Sequence, residues 1–125
     1  MKTLPILLAA LMLASNASAQ SRPNYSPEYI AQIDQNLQRF RGHCAKLEVA
    51  KREPYDDKRL IAMLRVLESY GADADAGKID ATLLEAARKI GRVTQADLDC
   101  TNTMTALVAY VVRKCQTDPG SCTYE

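Results

Sequence analysis

The first long hydrophobic pattern in the chain follows Ser26-Pro27 and has helical spacing. A good N-cap residue followed by proline at the first helical position is typical of a helix start. Pro54 marks the expected end, because proline cannot continue a helix. Apolar residues recur every three or four positions between these points, which predicts one long amphipathic helix that packs in a bundle. Its predicted buried face is Ile30, Ile33, Leu37, Phe40, Cys44 and Leu47.

A second helix is predicted to begin at Asp56 and Asp57. Their negative charges suit the positive end of the helix dipole. Gly71 is predicted to end this helix, since glycine readily takes the left-handed cap conformation. Residues 72–78 contain little apolar material and are expected to form an exposed loop. The predicted buried face of the second helix is Leu60, Ile61, Leu64 and Leu67.

Two further helix starts share one pattern. Each has a capping residue, Asp80 or Thr94, preceded by a β-branched apolar residue and followed four positions later by leucine. This arrangement is typical of an N-cap with a hydrophobic staple, and Asp97 completes a capping box at the second start. We predict a short third helix near residues 81–90 and a long fourth helix near residues 95–116. The predicted apolar face of the fourth helix is Thr101, Met104, Val108, Val111 and Cys115.

These elements predict an all-α fold, a small helical bundle of three to four helices stapled by two disulfides. We expect the two long helices to pack antiparallel, with the shorter ones between them in sequence. Pro119-Gly120 predicts a turn after the last helix. The predicted domain covers residues 27–125, and residues 20–26 are expected to be a flexible N-terminus.

Residues 1–19 have the features of a cleaved secretory signal peptide. Lys2 provides a short positive region, residues 4–14 are apolar, and Ala17 and Ala19 form the small-residue pattern that a signal peptidase recognises. The apolar run is too short to span a bilayer, which takes about 20 residues. We therefore expect a periplasmic or secreted protein with no integral membrane segment after cleavage.

The charge balance argues against nucleic acid as a partner. The full chain has a net charge of +1, and Lys2 is the only charged residue of the predicted signal peptide, so the exported part is formally neutral. A neutral domain lacks the basic patch that phosphate backbones attract. Basic residues do cluster on the first helix, but Glu48 and Glu53 lie among them, which predicts a solvated charged face. These basic residues are Arg39, Arg41, Lys46, Lys51 and Arg52.

The chain has four cysteines, Cys44, Cys100, Cys115 and Cys122. An even number in an oxidising compartment predicts two disulfides, and the absence of a C-x-x-C pair argues against zinc. Cys100 cannot pair with Cys115, because they would lie about 22 Å apart along one helix. We favour Cys44–Cys100 with Cys115–Cys122. The pairing Cys44–Cys115 with Cys100–Cys122 stays open, although it would stretch the tail along the fourth helix.

Two groups of residues resemble parts of known functional sites, but neither pattern is complete enough to predict a site. Asp73 and Asp75 precede Gly77 as in the start of an EF-hand loop, but no register supplies the six to eight oxygen ligands that calcium needs. His43 is the only histidine, and adjacent helical positions do not face each other, so it cannot act as the base for Cys44. We interpret it as a boundary histidine beside the basic face.

No catalytic, cofactor-binding or metal-ligating residues are predicted. The sequence has no nucleophile elbow, phosphate loop or haem attachment motif, and Met63 and Met104 are interpreted as core rather than as haem ligands. Small size, expected export and missing chemistry favour a non-enzymatic protein that binds another envelope or secreted protein, such as an inhibitor, an immunity-type partner or an assembly accessory. A small-ligand, calcium or haem carrier and a periplasmic stress chaperone are the alternatives. A homodimer is also open.

Tyrosine is the chain's main aromatic residue, with six tyrosines against one phenylalanine and no tryptophan. Five of them are predicted to lie at termini, helix ends or loops, where tyrosine often anchors protein contacts. They can equally cover the ends of the bundle. The five are Tyr25, Tyr29, Tyr55, Tyr70 and Tyr124, while Tyr110 is predicted in mid-helix.

Overall fold

The computed structural model describes residues 25–121, and these form four α-helices and no strand. The predicted all-α class is therefore confirmed for this part of the chain. The predicted signal peptide, residues 20–24 and Cys122 lie outside the described residues. The elements are α1 (Pro27–Ala50), α2 (Asp56–Asp75), α3 (Ala81–Lys89), α4 (Gln95–Thr117) and a closing 3₁₀ turn (Pro119–Ser121).

Side-chain caps begin three of the four helices, as predicted. The Ser26 hydroxyl accepts the Tyr29 amide at 3.1 Å at the start of α1. Asp80 caps α3 by accepting the Thr82 amide at 2.8 Å. At the start of α4, Thr94 and Asp97 form the complete capping box. Each cap satisfies an amide that has no partner within its helix.

The predicted end of α2 was wrong, whereas α1 ends at Ala50, ahead of Pro54 as predicted. α2 runs through Gly71 and continues to Asp75, so most of the predicted loop of residues 72–78 is helical. The left-handed residue after α2 is Gly77, with φ of 76°. A single glycine within a helix costs only about 1 kcal/mol relative to alanine, which tertiary contacts readily offset.

α1 is the spine of the bundle and contacts all three other helices. α2 returns antiparallel to it, so that Tyr70 near the end of α2 packs on His43 of α1. The chain then stays near the first half of α1, because α3 is too short to cross the bundle, at about 1.5 Å per residue.

α4 consequently runs in the same direction as α1 where the two helices meet. Arg41 contacts Asp97, and one turn later Cys44 is bonded to Cys100. The predicted antiparallel packing of the two long helices was therefore wrong. The short α3 does not carry the chain to the far end of α1, so α4 starts beside the middle of α1.

The hydrophobic core lies between α1 and the three helices around it, and Ile33, Leu47 and Leu64 are its most completely buried large side chains. The predicted face of α1 is mostly confirmed. The predicted face of α4 is rotated by about one position, because Cys100, Met104 and Leu107 are buried there while Thr101 and Val108 are only half-buried. The predicted set and the buried set of residues both have helical spacing and share Met104, so periodicity alone does not distinguish them.

The predicted disulfide between Cys44 and Cys100 is present, with the two Cα atoms 5.8 Å apart. It joins the second half of α1 to the first turns of α4. The second predicted bridge, Cys115–Cys122, stays a prediction because Cys122 lies outside the described residues. Among the helices of residues 25–121, none combines the length and apolar character needed to cross a bilayer.

Candidate functional site

Four charged or titratable residues of α1 make polar contacts with other elements of the bundle. We call them the α1 hub, and they are Asp34, Arg39, Arg41 and His43. The hub joins α1 to the end of α2, to the α3–α4 connection and to the start of α4. The basic side of α1 was predicted to be a solvated face, and Arg39 and Arg41 keep 44 % and 41 % of their side chains exposed while they make these contacts.

The first contact of the hub is with Asp73, in the last turn of α2. One carboxylate oxygen of Asp73 lies 2.6 Å from Nε2 of His43 and 3.2 Å from Nε of Arg39. The Asp73 side chain is 22 % exposed. The hydrogen bond from His43 holds the pKa of the Asp73 carboxyl below its ordinary value, and Arg39 adds to this, although partial burial acts in the opposite direction.

His43 is buried in this contact, with only 5 % of its surface exposed. The interpretation of His43 as a boundary residue was therefore wrong. Its ring meets Tyr70 edge-on at 5.8 Å, and burial raises the pKa of the Tyr70 hydroxyl. Because Nε2 faces a carboxylate, it donates, and Nδ1 has no hydrogen-bond partner among the described residues. The signal was present in the sequence, since His43 follows Phe40 by three positions on the predicted buried face.

The second contact of the hub is with Asp97, in the first turn of α4. Arg41 donates from Nε and Nη2 to the two carboxylate oxygens, at 3.0 and 2.8 Å, and also reaches the Arg92 carbonyl at 3.0 Å. Burial raises the pKa of Asp97, but hydrogen bonds from Arg41 and Thr94 outweigh it and leave the pKa lowered. The predicted capping residue thus also anchors α4 to α1.

Asn36 joins α1 to the start of α3 through two hydrogen bonds between its side chain and the main chain of Asp80. Its amide nitrogen donates to the Asp80 carbonyl at 3.0 Å, and its oxygen accepts the Asp80 amide at 2.8 Å. Asn36 is 4 % exposed, so this pairing satisfies polar groups away from water. It fixes the α2–α3 connection against α1. No sequence pattern indicates this pairing, because the partner is a main-chain group 44 positions away.

A polar cleft of ≈ 680 Å³ lies beside this joint, between α1 and the segment that links α2 to α3. Three glutamines of α1 line one side at intervals of three residues, and the side chains of these glutamines and of Lys78 make no hydrogen bond or ion pair with other described residues. The side chains that line the cleft include Gln32, Gln35, Gln38, Arg39, Lys78 and Leu83. The cleft therefore offers unused amide donors and acceptors and one unused cation.

Arg88 is a further buried charge that the sequence did not indicate. It is 6 % exposed in α3 and lies 3.3 Å from Glu85, one turn earlier. Burial lowers its pKa, against the opposing effect of Glu85.

The candidate residues considered for metal or haem binding have other roles in the structure. Asp73 is held by the hub and Asp80 caps α3, and in the part of the chain that is described no three histidine, cysteine or acidic side chains are grouped so as to hold a metal ion. Met104 is buried in the core, and Met63 packs against it. Cys44 is in a disulfide and has no thiol to act as a nucleophile.

Most of the described tyrosines are only partly exposed. Tyr25, Tyr29, Tyr70 and Tyr110 pack against the core. Tyr55 is exposed by 62 % and lies under Lys58, whose ammonium is 5.1 Å from the ring centroid. Tyr124 lies outside the described residues.

Comparison with known proteins does not assign the chain to a family. No family model, curated protein or solved structure shows significant similarity to it.

Proposed function

We propose that this protein is an exported, non-enzymatic binding protein that contacts another envelope or secreted protein through the polar cleft. The observation that carries the proposal is the row of uncommitted glutamine side chains facing Lys78 across that cleft. Amide groups both donate and accept, so a row of them can pair with the main chain of an extended segment. Glutamine side chains are neither nucleophiles nor general bases.

The frame around the cleft favours binding, because it is fixed before any partner arrives. The Asn36–Asp80 pairing and the Arg39–Asp73 contact hold its two walls together. A preorganised surface loses less conformational entropy on binding than a flexible one. This rigidity suits an inhibitor, an immunity-type partner or an assembly accessory.

Export is the second part of the proposal. The Cys44–Cys100 disulfide is compatible with an oxidising compartment, and residues 1–19 have the pattern of a signal peptide. Mass spectrometry of the protein from a secreting host tests this directly. We expect a chain that begins at Gln20, and a cytoplasmic chain that retains Met1 would contradict export.

The binding proposal is tested by capture from an envelope extract with the domain of residues 20–125. The variant Lys78→Glu combined with Gln35→Glu reverses or adds charge inside the cleft. Lys46→Glu is the matched control, since Lys46 is an exposed lysine of α1 outside the cleft lining. We expect one stoichiometric partner with the unmodified domain and with Lys46→Glu, and none with the cleft variant. A partner retained equally by all three would exclude the cleft as the binding surface.

A stress chaperone that acts in acid is a second candidate function, and the hub favours it. Its contacts depend on three carboxylates, Asp34, Asp73 and Asp97, which lose their charge at low pH. Loosening of these contacts would expose core residues that could bind unfolded chains. Suppression of the aggregation of an unfolded client at pH 3, absent at pH 7, would support this function; no suppression at either pH would remove it.

A further inference from the structure

The last turn of α2 has a local cap as well as contacts with α1. Its last residues include Asp73 and Asp75, and Gly71, which lowers helix stability, lies just before it. Negative charge is unfavourable at the negative end of the helix dipole, and no basic residue of α2 lies in this turn. The amides of Gly77 and Lys78 cap the turn by bonding main-chain carbonyls within it, and the contacts with α1 offset the unfavourable charge.

Those contacts converge on one carboxylate. Arg39 and His43 both bond the same oxygen of Asp73, at 3.2 and 2.6 Å. They are the groups that face Asp73 from α1, while Tyr70 on α2 packs against the His43 ring. No charged group of α3 or α4 is among those that shift the pKa of Asp73.

α2 and α4 differ in what else holds them to α1. α4 is tied covalently, because Cys100 lies three residues after Asp97 and is bonded to Cys44. α2 has no covalent tie to α1 among the described residues. Loss of charge on Asp97 therefore leaves the start of α4 in place, whereas loss of charge on Asp73 removes the ion pairs that join the last turn of α2 to α1.

We propose that Asp73 is an acid-sensitive latch: its carboxylate holds the last turn of α2 on α1 at neutral pH, and protonation lets that turn unwind while α4 stays attached. The turn leads directly into Gly77 and Lys78, which form one wall of the cleft. Insofar as the proposed binding function holds, release of the latch also opens the cleft and weakens partner binding in acid.

The latch is tested by amide hydrogen exchange and ¹⁵N NMR on the domain of residues 20–125 without any partner, from pH 7 to pH 2.5. We expect the amides of residues 70–78 to lose protection before those of residues 100–107 do, in a separate step. A single transition in which both groups change together would overturn the proposal. This experiment needs no variant and no partner, so its outcome is independent of the binding function.

A variant pair sharpens the result. Asp73→Asn removes the charge without changing the size of the side chain, and residues 70–78 of this variant are expected to exchange at pH 7 as the unmodified domain does in acid. Asp75→Asn is the control, because Asp75 lies in the same turn, is exposed and has no contact with the hub. Equal protection of residues 70–78 in both variants and in the unmodified domain at pH 7 would also overturn the latch.

Discussion

At the residue scale, buried polar side chains decide how the helices are joined. Asn36, His43 and Asp97 are each at most 5 % exposed, and each bonds a group on another element. Burying a polar group is unfavourable unless it is hydrogen-bonded, so each position restricts which neighbours can pack there. The sequence shows that Asn36 and His43 lie near the apolar face of α1, but it does not show what they bond, because the partners are 44 and 30 positions away.

Replacement of Asn36 by alanine is expected to destabilise the domain by about 1–3 kcal/mol, since it leaves the Asp80 amide without its partner in a partly buried place and removes one of two hydrogen bonds to the Asp80 carbonyl. Urea unfolding followed by far-UV circular dichroism measures the change. Gln35→Ala is the control, because Gln35 is exposed and makes no hydrogen bond with described residues; it should alter stability by no more than about 0.5 kcal/mol. Equal losses in the two variants would show that the Asn36 contact contributes nothing.

At the element scale, the starts of the helices were predicted better than their ends. The start of a helix depends on residues that are close together in sequence, as in the capping box of Thr94 and Asp97, so the local sequence is sufficient to predict it. The end of α2 depends on contacts between Asp73 and α1, which are distant in sequence. Gly71 therefore looked like a cap although the helix continues through it.

The disulfide is the strongest link between two elements. Its removal in Cys44→Ser combined with Cys100→Ser is expected to cost about 4 kcal/mol, because the bond closes a long segment and restricts the unfolded chain. The two cysteines are 56 positions apart. Denaturant unfolding of the oxidised proteins gives the value.

The control for the disulfide is the double variant Cys115→Ser with Cys122→Ser. If that bridge forms as predicted, it closes a much shorter loop and its removal should cost less. An equally large loss of stability in the control and in the variant without Cys44 and Cys100 would contradict the claim that the Cys44–Cys100 disulfide contributes more to stability.

At the scale of the whole molecule, the path of the chain follows from the length of α3. Nine residues span about 14 Å, too little to cross a bundle whose long helices have more than twice that length. α4 therefore begins at the same end of the bundle at which α2 ends. The composition and helix count were sufficient to predict an all-α fold, but the direction of α4 depends on this one short element. The cleft was missed because its two walls, α1 and the segment that links α2 to α3, are distant in sequence.

The free energy of unfolding should depend on pH in acid. The pKa values of Asp73 and Asp97 are lower in the folded protein than in the unfolded chain, where aspartate has a pKa of about 3.9. The unfolded chain thus takes up protons first as the pH falls, and stability is lost as the pH falls through the folded pKa values. We expect these two groups to leave the free energy of unfolding nearly constant above about pH 5 and to lower it below about pH 4.

Asp97→Asn tests this pH dependence. It should be less stable than the unmodified domain at pH 7 and should lose less stability between pH 5 and pH 2. Asp99→Asn is the matched control, since Asp99 is an exposed residue of the same helix. Thermal unfolding across this pH range provides the curves, and an acid dependence in Asp97→Asn as steep as in the control would contradict the role of Asp97.

The most direct test of the binding account is to locate the surface that a captured partner covers. Hydrogen exchange of residues 20–125 is measured alone and with the purified partner at neutral pH. The account predicts that protection increases in residues 32–39 and 77–83, the two walls of the cleft, and changes little elsewhere. Protection confined to another surface, such as the exposed region around Val49 and Tyr55, would contradict the proposal that the cleft is the binding site.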